Sequence, residues 1–174
     1  MSGTVIVTGG SGYVGHQVCL ELEEKGYTPI SIDRNPRKFT ASSGVTNFPE
    51  DINNKGVNAI MKMFKPVAVV HCAASTMVGK SFEEPHTYYE NNISHLITLL
   101  GACIEHEVKN FVFISSSSVY GDIKETNVDG TIHETTELNP VSPYGKTKMY
   151  GEHILNDFAQ FGLNITHIRP FNVA

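Results

Sequence analysis

Tyr144 and Lys148 stand four residues apart in the stretch Ser142-Pro143-Tyr144-Gly145-Lys146-Thr147-Lys148. At that spacing on a helix the two side chains share one face. An ammonium one turn from a phenol favours the phenolate and lowers the tyrosine pKa. A phenolate poised toward neutrality can take the proton of a sugar hydroxyl while hydride leaves the same carbon. A hydroxyl from a neighbouring strand end would complete the relay, and Ser115-Ser116-Ser117-Ser118 follows the apolar run Phe111-Val112-Phe113-Ile114. On an ordinary helix a Tyr/Lys pair at this spacing is unremarkable surface, so the pair gains its meaning from the N-terminal part of the chain.

That part offers a place for a hydride acceptor. Val5-Ile6-Val7 reads as a buried strand and is followed at once by Gly9, Gly12 and Gly15, spaced G-x-x-G-x-x-G. Val14, Val18, Cys19 and Leu22 then recur at helical spacing, Gly26 closes the helix, and a second strand from Thr28 to Ile32 runs into Asp33. Glycines there permit a tight strand-to-helix turn and let a pyrophosphate approach backbone N–H groups at a helix N-terminus. Asp33 is placed to accept hydrogen bonds from an adenosine ribose. A carboxylate would repel a ribose 2′-phosphate, so the reading is NAD rather than NADP, despite the basic loop Arg34-Asn35-Pro36-Arg37-Lys38.

The elements that position these groups alternate along the chain. A short third strand is expected at 45–48, followed by Asp51-Ile52. A helix over 56–64 is stopped by Pro66, and the strand Val67–Val70 leads into His71-Cys72-Ala73-Ala74. A helix over 86–107 carries Tyr89, Ile93, Leu96, Leu100 and Cys103 as candidates for one face, with Asn92 either polar surface or a buried hydrogen-bonding residue beside the cofactor. After the strand 111–114 comes an irregular, polar stretch at 122–141, long enough to be substrate-facing. A helix from about Tyr144 to Phe161 and a strand from Asn164 to Ile168 lead into Arg169-Pro170-Phe171-Asn172. Strands alternating with helices predict an α/β fold, a doubly wound parallel sheet (Rossmann fold), with residues 1–174 forming one domain.

Composition narrows the classes. The 174 residues are 40% hydrophobic and 18% charged, ordinary for a globular domain, and the net charge of −5 gives no footprint for nucleic acid or an anionic membrane. No apolar run reaches the roughly 20 residues of a membrane-crossing helix. The chain enters a core strand at once, which leaves no room for a signal peptide. Cys19, Cys72 and Cys103 lie in apolar segments without metal-ligand spacing, so free buried thiols, no metal and a cytoplasmic setting are expected.

Five stretches in order, TGGSGYVG, VVHCAA, SSSSVYGD, SPYGKTK and RPFNV, resemble the extended short-chain dehydrogenase/reductases, and within them the UDP-glucose (UDP-galactose) 4-epimerase group of nucleotide-sugar epimerases. The resemblance covers essentially the whole chain. It implies that Gly9, Gly12 and Gly15 line the pyrophosphate, with Tyr13 and Val14 at the helix start. It places Asp33 on the adenosine ribose with Asn35 nearby, Asp51 and Ile52 at the adenine, and Ala73, Ala74 and Asn92 beside the cofactor. Counted back from Val119, the catalytic serine is Ser116; Tyr144 is the base and Lys148 its partner, also holding the nicotinamide ribose. Pro170 and Phe171 would flank the nicotinamide, and Asn172 would begin the pocket for a UDP-sugar, which Ser116 and Tyr144 also meet. The reaction implied is 4-epimerisation through a 4-keto sugar that rotates before the hydride returns.

Thr76 stands where a lysine is common among the epimerases, and the family continues for about as many residues again, supplying most of the sugar-nucleotide pocket. Other branches remain open. A 4,6-dehydratase would carry Asp-Glu where this chain has Ser117-Ser118, a reductase would consume NADPH, and a cofactor-binding module would bind without turnover. The resemblance also implies a homodimer through the helices at 86–107 and 144–161, whose apolar faces serve an intramolecular core equally well.

Overall fold

The structure, a computed structural model, describes residues 3–36, 39, 43–52, 55–122 and 131–172. Six parallel strands run β1 (Thr4–Thr8), β2 (Thr28–Ile32), β3 (Thr46–Phe48), β4 (Ala68–His71), β5 (Asn110–Ile114) and β6 (Asn164–Ile168). They lie in the order β3-β2-β1-β4-β5-β6. The chain therefore winds outward from β1 to β3 and returns to the other side of β1 at β4. A crevice opens at that reversal, outside the carboxyl ends of β1 and β4, where open α/β sheets take their ligands.

The apolar runs are strands because both their faces are covered: Val5, Ile6, Val7 and Thr8 are all buried, whereas the edge strand β6 alternates exposed and half-buried residues. Ile6, Val69 and Phe111 occupy one row across three strands. They pack in one core with Leu96, Leu99, Leu100 and Leu155. Two residues further on comes the row Thr8, His71, Phe113 and His167, where the core turns polar toward the site.

The connecting helices are α1 (Tyr13–Glu24), α2 (Lys55–Phe64), α3 (Val78–Glu83), α4 (Pro85–Tyr89), α5 (His95–Glu105) and α6 (Pro143–Ala159). The helix expected over 86–107 is thus interrupted: α4 passes through one π-helical turn, Glu90–Ser94, into α5. A π turn inserts one residue and rotates the rest of the helix about its axis. Tyr89, expected on the apolar face, is 37% exposed, and Tyr88 and Asn92 are buried in its place. The short helix α3 has no counterpart in the sequence pattern. Of the basic loop, Arg37 and Lys38 lie outside the described residues, as does 123–130 of the stretch at 122–141.

Candidate active site

The dinucleotide end is assembled by backbone. Gly9 has φ +67°, and a Cβ there would stand 2.7 Å from the Ala73 amide nitrogen, so only glycine lets the turn after β1 lie against the turn after β4. Gly12 caps α1, and the first helical bond runs from His16 N–H to Gly12 O at 2.9 Å. The amides of Tyr13 and Val14 lie ahead of that bond, at the positive end of the helix dipole. Asp33 ends β2 beside them; its carboxylate accepts from the Ser11 amide at 3.1 Å and the Asn35 amide at 2.9 Å.

These residues line one cleft of about 410 Å³. Gly9, Gly12, Gly15, Tyr13 and Val14 form its floor at the helix start; Asp33, Asn35, Asp51 and Ile52 form the end beyond β2; Ala73 and Ala74 form the β4 side. Thr76 lines it too. So do Arg34 of the basic loop and Cys72 of the VVHCAA stretch, together with Glu50, Asn91 and His95, which sequence reasoning did not single out for the site. An amide-rich turn, an acid at the next strand end and a flat wall of alanines together fit a dinucleotide.

The chemistry-bearing residues sit beyond that cleft, at the ends of β5 and α6. Ser142 caps α6, accepting from the Gly145 amide at 3.0 Å, and Pro143 occupies the first turn. A Cβ on Gly145 would meet the Ser118 carbonyl at 2.6 Å, so glycine there lets α6 press on the serine turn. Ser116 Oγ accepts from the Ser118 amide at 3.1 Å and donates to Ser118 Oγ at 3.2 Å. Tyr144, 8% exposed, packs edge-on against Tyr88. Burial raises its pKa, the Ser116 hydroxyl opposes the rise, and Tyr88 adds to it.

Lys148 corrects the expectation drawn from its spacing. Its Nζ donates to the Ile114 carbonyl at 2.7 Å and lies 4.8 Å over the Phe113 ring. The phenol next to it is held up by burial rather than lowered by the ammonium, because the ammonium turns inward to the end of β5. Burial lowers the Lys148 pKa to about 8. His71, on the same row, is stacked on Phe113 and paired with Thr8 Oγ1 at 2.6 Å. Burial first, then Lys148 and His95, push His71 down to about 3, which keeps it neutral.

Asn92 is buried, but it is a tie rather than part of the cleft wall. Its Oδ1 accepts from the Ser75 amide at 2.8 Å, while its Nδ2 donates to the Ser75 carbonyl at 3.1 Å and Thr147 Oγ1 at 3.0 Å. It thereby joins the turn after β4 to the residue beside Lys148. Across the site, Glu152 (3% exposed) does the same for other segments. It accepts from Ser115 Oγ at 2.5 Å and from Arg169 Nη2 at 2.6 Å, and Arg169 Nη1 donates to Tyr120 Oη and the Glu134 carbonyl, each at 2.9 Å. Although desolvation acts the other way, Arg169 and Ser115 hold the Glu152 carboxyl below its usual range. The Ser117 amide donates to the Pro170 carbonyl at 2.9 Å, Phe171 stacks on Tyr120 and is 59% exposed, and Asn172 is exposed.

Cys19, Cys72 and Cys103 are free, and burial pushes each thiol up to about 12. Among the described residues no helix is long and apolar enough to cross a membrane.

The chain is 35% identical to a UDP-glucose 4-epimerase of Rhizobium leguminosarum over 98% of its length, which is 52% of that relative. It is 36% identical to a UDP-glucose 4-epimerase of Schizosaccharomyces pombe, again over 98% of this chain and 51% of the other. Among solved structures it superposes on the UDP-glucose 4-epimerase of Brucella ovis in complex with NAD with a TM-score of 0.90, at 34% identity, covering 98% of this chain and 52% of that one. A Bifidobacterium longum UDP-glucose 4-epimerase, solved with NAD⁺ and UDP, gives a TM-score of 0.86 at 31% identity, covering 95% of this chain and 52% of that one. The chain therefore spans about half the length of the relatives it matches. Residues 5–174 match the NAD dependent epimerase/dehydratase family, and the chain belongs to it.

Proposed function

We propose that this chain is the cofactor-binding and proton-transferring part of an NAD-dependent UDP-glucose 4-epimerase. The carrying observation is that Tyr144 and Lys148 share the first turns of α6, which presses on the turn holding Ser116, beyond a cleft built for a dinucleotide. The glycine turn and Asp33 would hold NAD, which when bound would supply the acceptor for the C4 hydride and the source for its return. As the phenolate, its own proton first lost to solvent, Tyr144 Oη would take the C4 hydroxyl proton of the sugar and return it, with Ser116 Oγ holding that hydroxyl in line. Lys148, charged at neutral pH and anchored on the Ile114 carbonyl, would turn a remaining N–H toward the nicotinamide ribose. The neutral His71 beneath adds no competing charge. Pro170 and Phe171 border the nicotinamide, and Asn172 starts the sugar pocket.

Ser117-Ser118 in place of an Asp-Glu pair leaves no acid and base for eliminating water, which favours epimerisation over dehydration. A homodimer through α4–α5 and α6 is supported by Tyr89, Ile97 and Tyr150, which stay 37%, 44% and 42% exposed along them. The free thiols support a reducing setting, the cytoplasm.

Conversion of UDP-galactose to UDP-glucose by the protein carrying this chain tests the reading, with Tyr144→Phe beside it. The variant should bind NAD⁺ as the parent does and lose turnover by roughly 10²–10⁴ fold. Near-parental turnover in Tyr144→Phe would remove Tyr144 from the role.

A further inference from the structure

Beyond β2, at the outer end of the cleft, a histidine that none of the sequence motifs contains forms part of the wall. His95 is the first residue of α5, immediately after the π turn, and only 7% exposed. Its Nδ1 lies 3.6 Å from Asp51 Oδ1, and Arg34 Nη1 lies 3.8 Å from the other oxygen, Asp51 Oδ2. One carboxylate in the cleft is thus flanked by a nitrogen group on each oxygen, one rising from α5 and one from the loop after β2.

A dinucleotide threaded along this sheet passes its pyrophosphate over β1 and its ribose over Asp33 at β2, so its purine comes to the end of β3, where Asp51 and Ile52 line the cleft. We propose that His95 is a positioning residue for cofactor specificity: with Arg34 it pins the Asp51 carboxylate so that this end of the cleft selects a 6-amino purine. The inference rests on the dinucleotide reading of the cleft.

The physical argument is about freedom of movement. An ionised carboxylate only accepts hydrogen bonds. It accepts from the 6-amino group of adenine and is repelled by the 6-oxo oxygen of hypoxanthine. A carboxylate free to swing escapes that repulsion by moving to the N1–H donor that hypoxanthine offers next to its oxygen. One flanked on both oxygens follows less readily, and the wrong base then sets its 6-oxo oxygen against the carboxylate. The Arg34 side chain is 55% accessible to solvent, whereas that of His95 is 9% accessible and held by its packing, so of these two flanking groups the histidine is the more fixed.

Calorimetric titration of the chain with NAD⁺ and with nicotinamide hypoxanthine dinucleotide is the test, for the parent, His95→Ala and His95→Gln, with circular dichroism to verify folding. The parent should prefer NAD⁺ by about tenfold, the size of one hydrogen bond to a charged group. His95→Ala should keep binding NAD⁺ but let the preference fall to about twofold, mainly by gaining affinity for the hypoxanthine analogue. His95→Gln, which keeps an N–H donor, should recover most of the preference. An unchanged preference in His95→Ala, or an equal loss of both ligands, overturns the inference. A parent that binds both equally also overturns it while leaving the dinucleotide reading intact, and a folded parent that binds neither overturns that reading itself.

Discussion

The two ends of the crevice are built in different ways. At the dinucleotide end the turn is shaped by backbone: a left-handed Gly9 against the Ala73 amide, and the opening amides of α1. At the catalytic end, the turn holding Ser116, the helix holding Tyr144 and Lys148, and the segment Pro170–Asn172 are joined by side chains. Asn92 and Glu152 are the knots, each joining segments far apart in the chain. A backbone-built site tolerates changes in the side chains around it, whereas a side-chain-built one fails when a knot is cut.

That contrast predicts the largest stability effect at Glu152. Glu152→Ala removes the buried partner of an ion pair whose Arg169 is half-buried, and should cost about 1–3 kcal/mol in urea unfolding. It should also disturb turnover more than NAD⁺ affinity. The folded-state carboxyl is held below its ordinary value of 4.5, so its contribution is fully present above that pH and is lost as the pH falls below it. The parent should therefore lose stability on acidification more steeply than the variant. A neutral Glu152→Ala would mean that the catalytic end does not depend on this knot.

A smaller effect of opposite sign belongs to Lys148. Its pKa is lowered on folding from 10.5 to about 8, so the folded state disfavours the proton that the unfolded state keeps. That penalty applies at neutral pH and is relieved as the pH rises through the interval between those values. Lys148→Met should accordingly raise the melting temperature at pH 7 by a few degrees, with an advantage that shrinks above pH 8. A lower melting temperature at pH 7 would show that the bond to the Ile114 carbonyl outweighs the burial of charge.

The same contrast explains how much was legible in the sequence. The strands could be read because a doubly covered strand must be an apolar run, as Val5–Val7 and Phe111–Ile114 are. The glycine turn could be read because its geometry demands glycine at fixed places. Helix α3 could not: at six residues, with Phe82 exposed, it carries no helical periodicity. The π turn escaped because a single inserted residue leaves the apolar spacing of Leu96, Leu100 and Cys103 intact while displacing Tyr89. His95 escaped for a related reason, since a lone histidine at the start of an apolar helix carries no spacing signal. Glu152 and Arg169 lie on separate elements, and only the fold brings them together. The inward turn of Lys148 is likewise a matter of tertiary packing: spacing sets the shared face but not where a long side chain ends.

The most direct test of the account is a calorimetric titration of the 174-residue chain with NAD⁺ and NADP⁺ in parallel. The glycine turn and the Asp33 carboxylate predict saturable binding of NAD⁺, with NADP⁺ at least about tenfold weaker because a 2′-phosphate would meet that carboxylate. Equal or stronger binding of NADP⁺, or no binding of either by the folded chain, would contradict it.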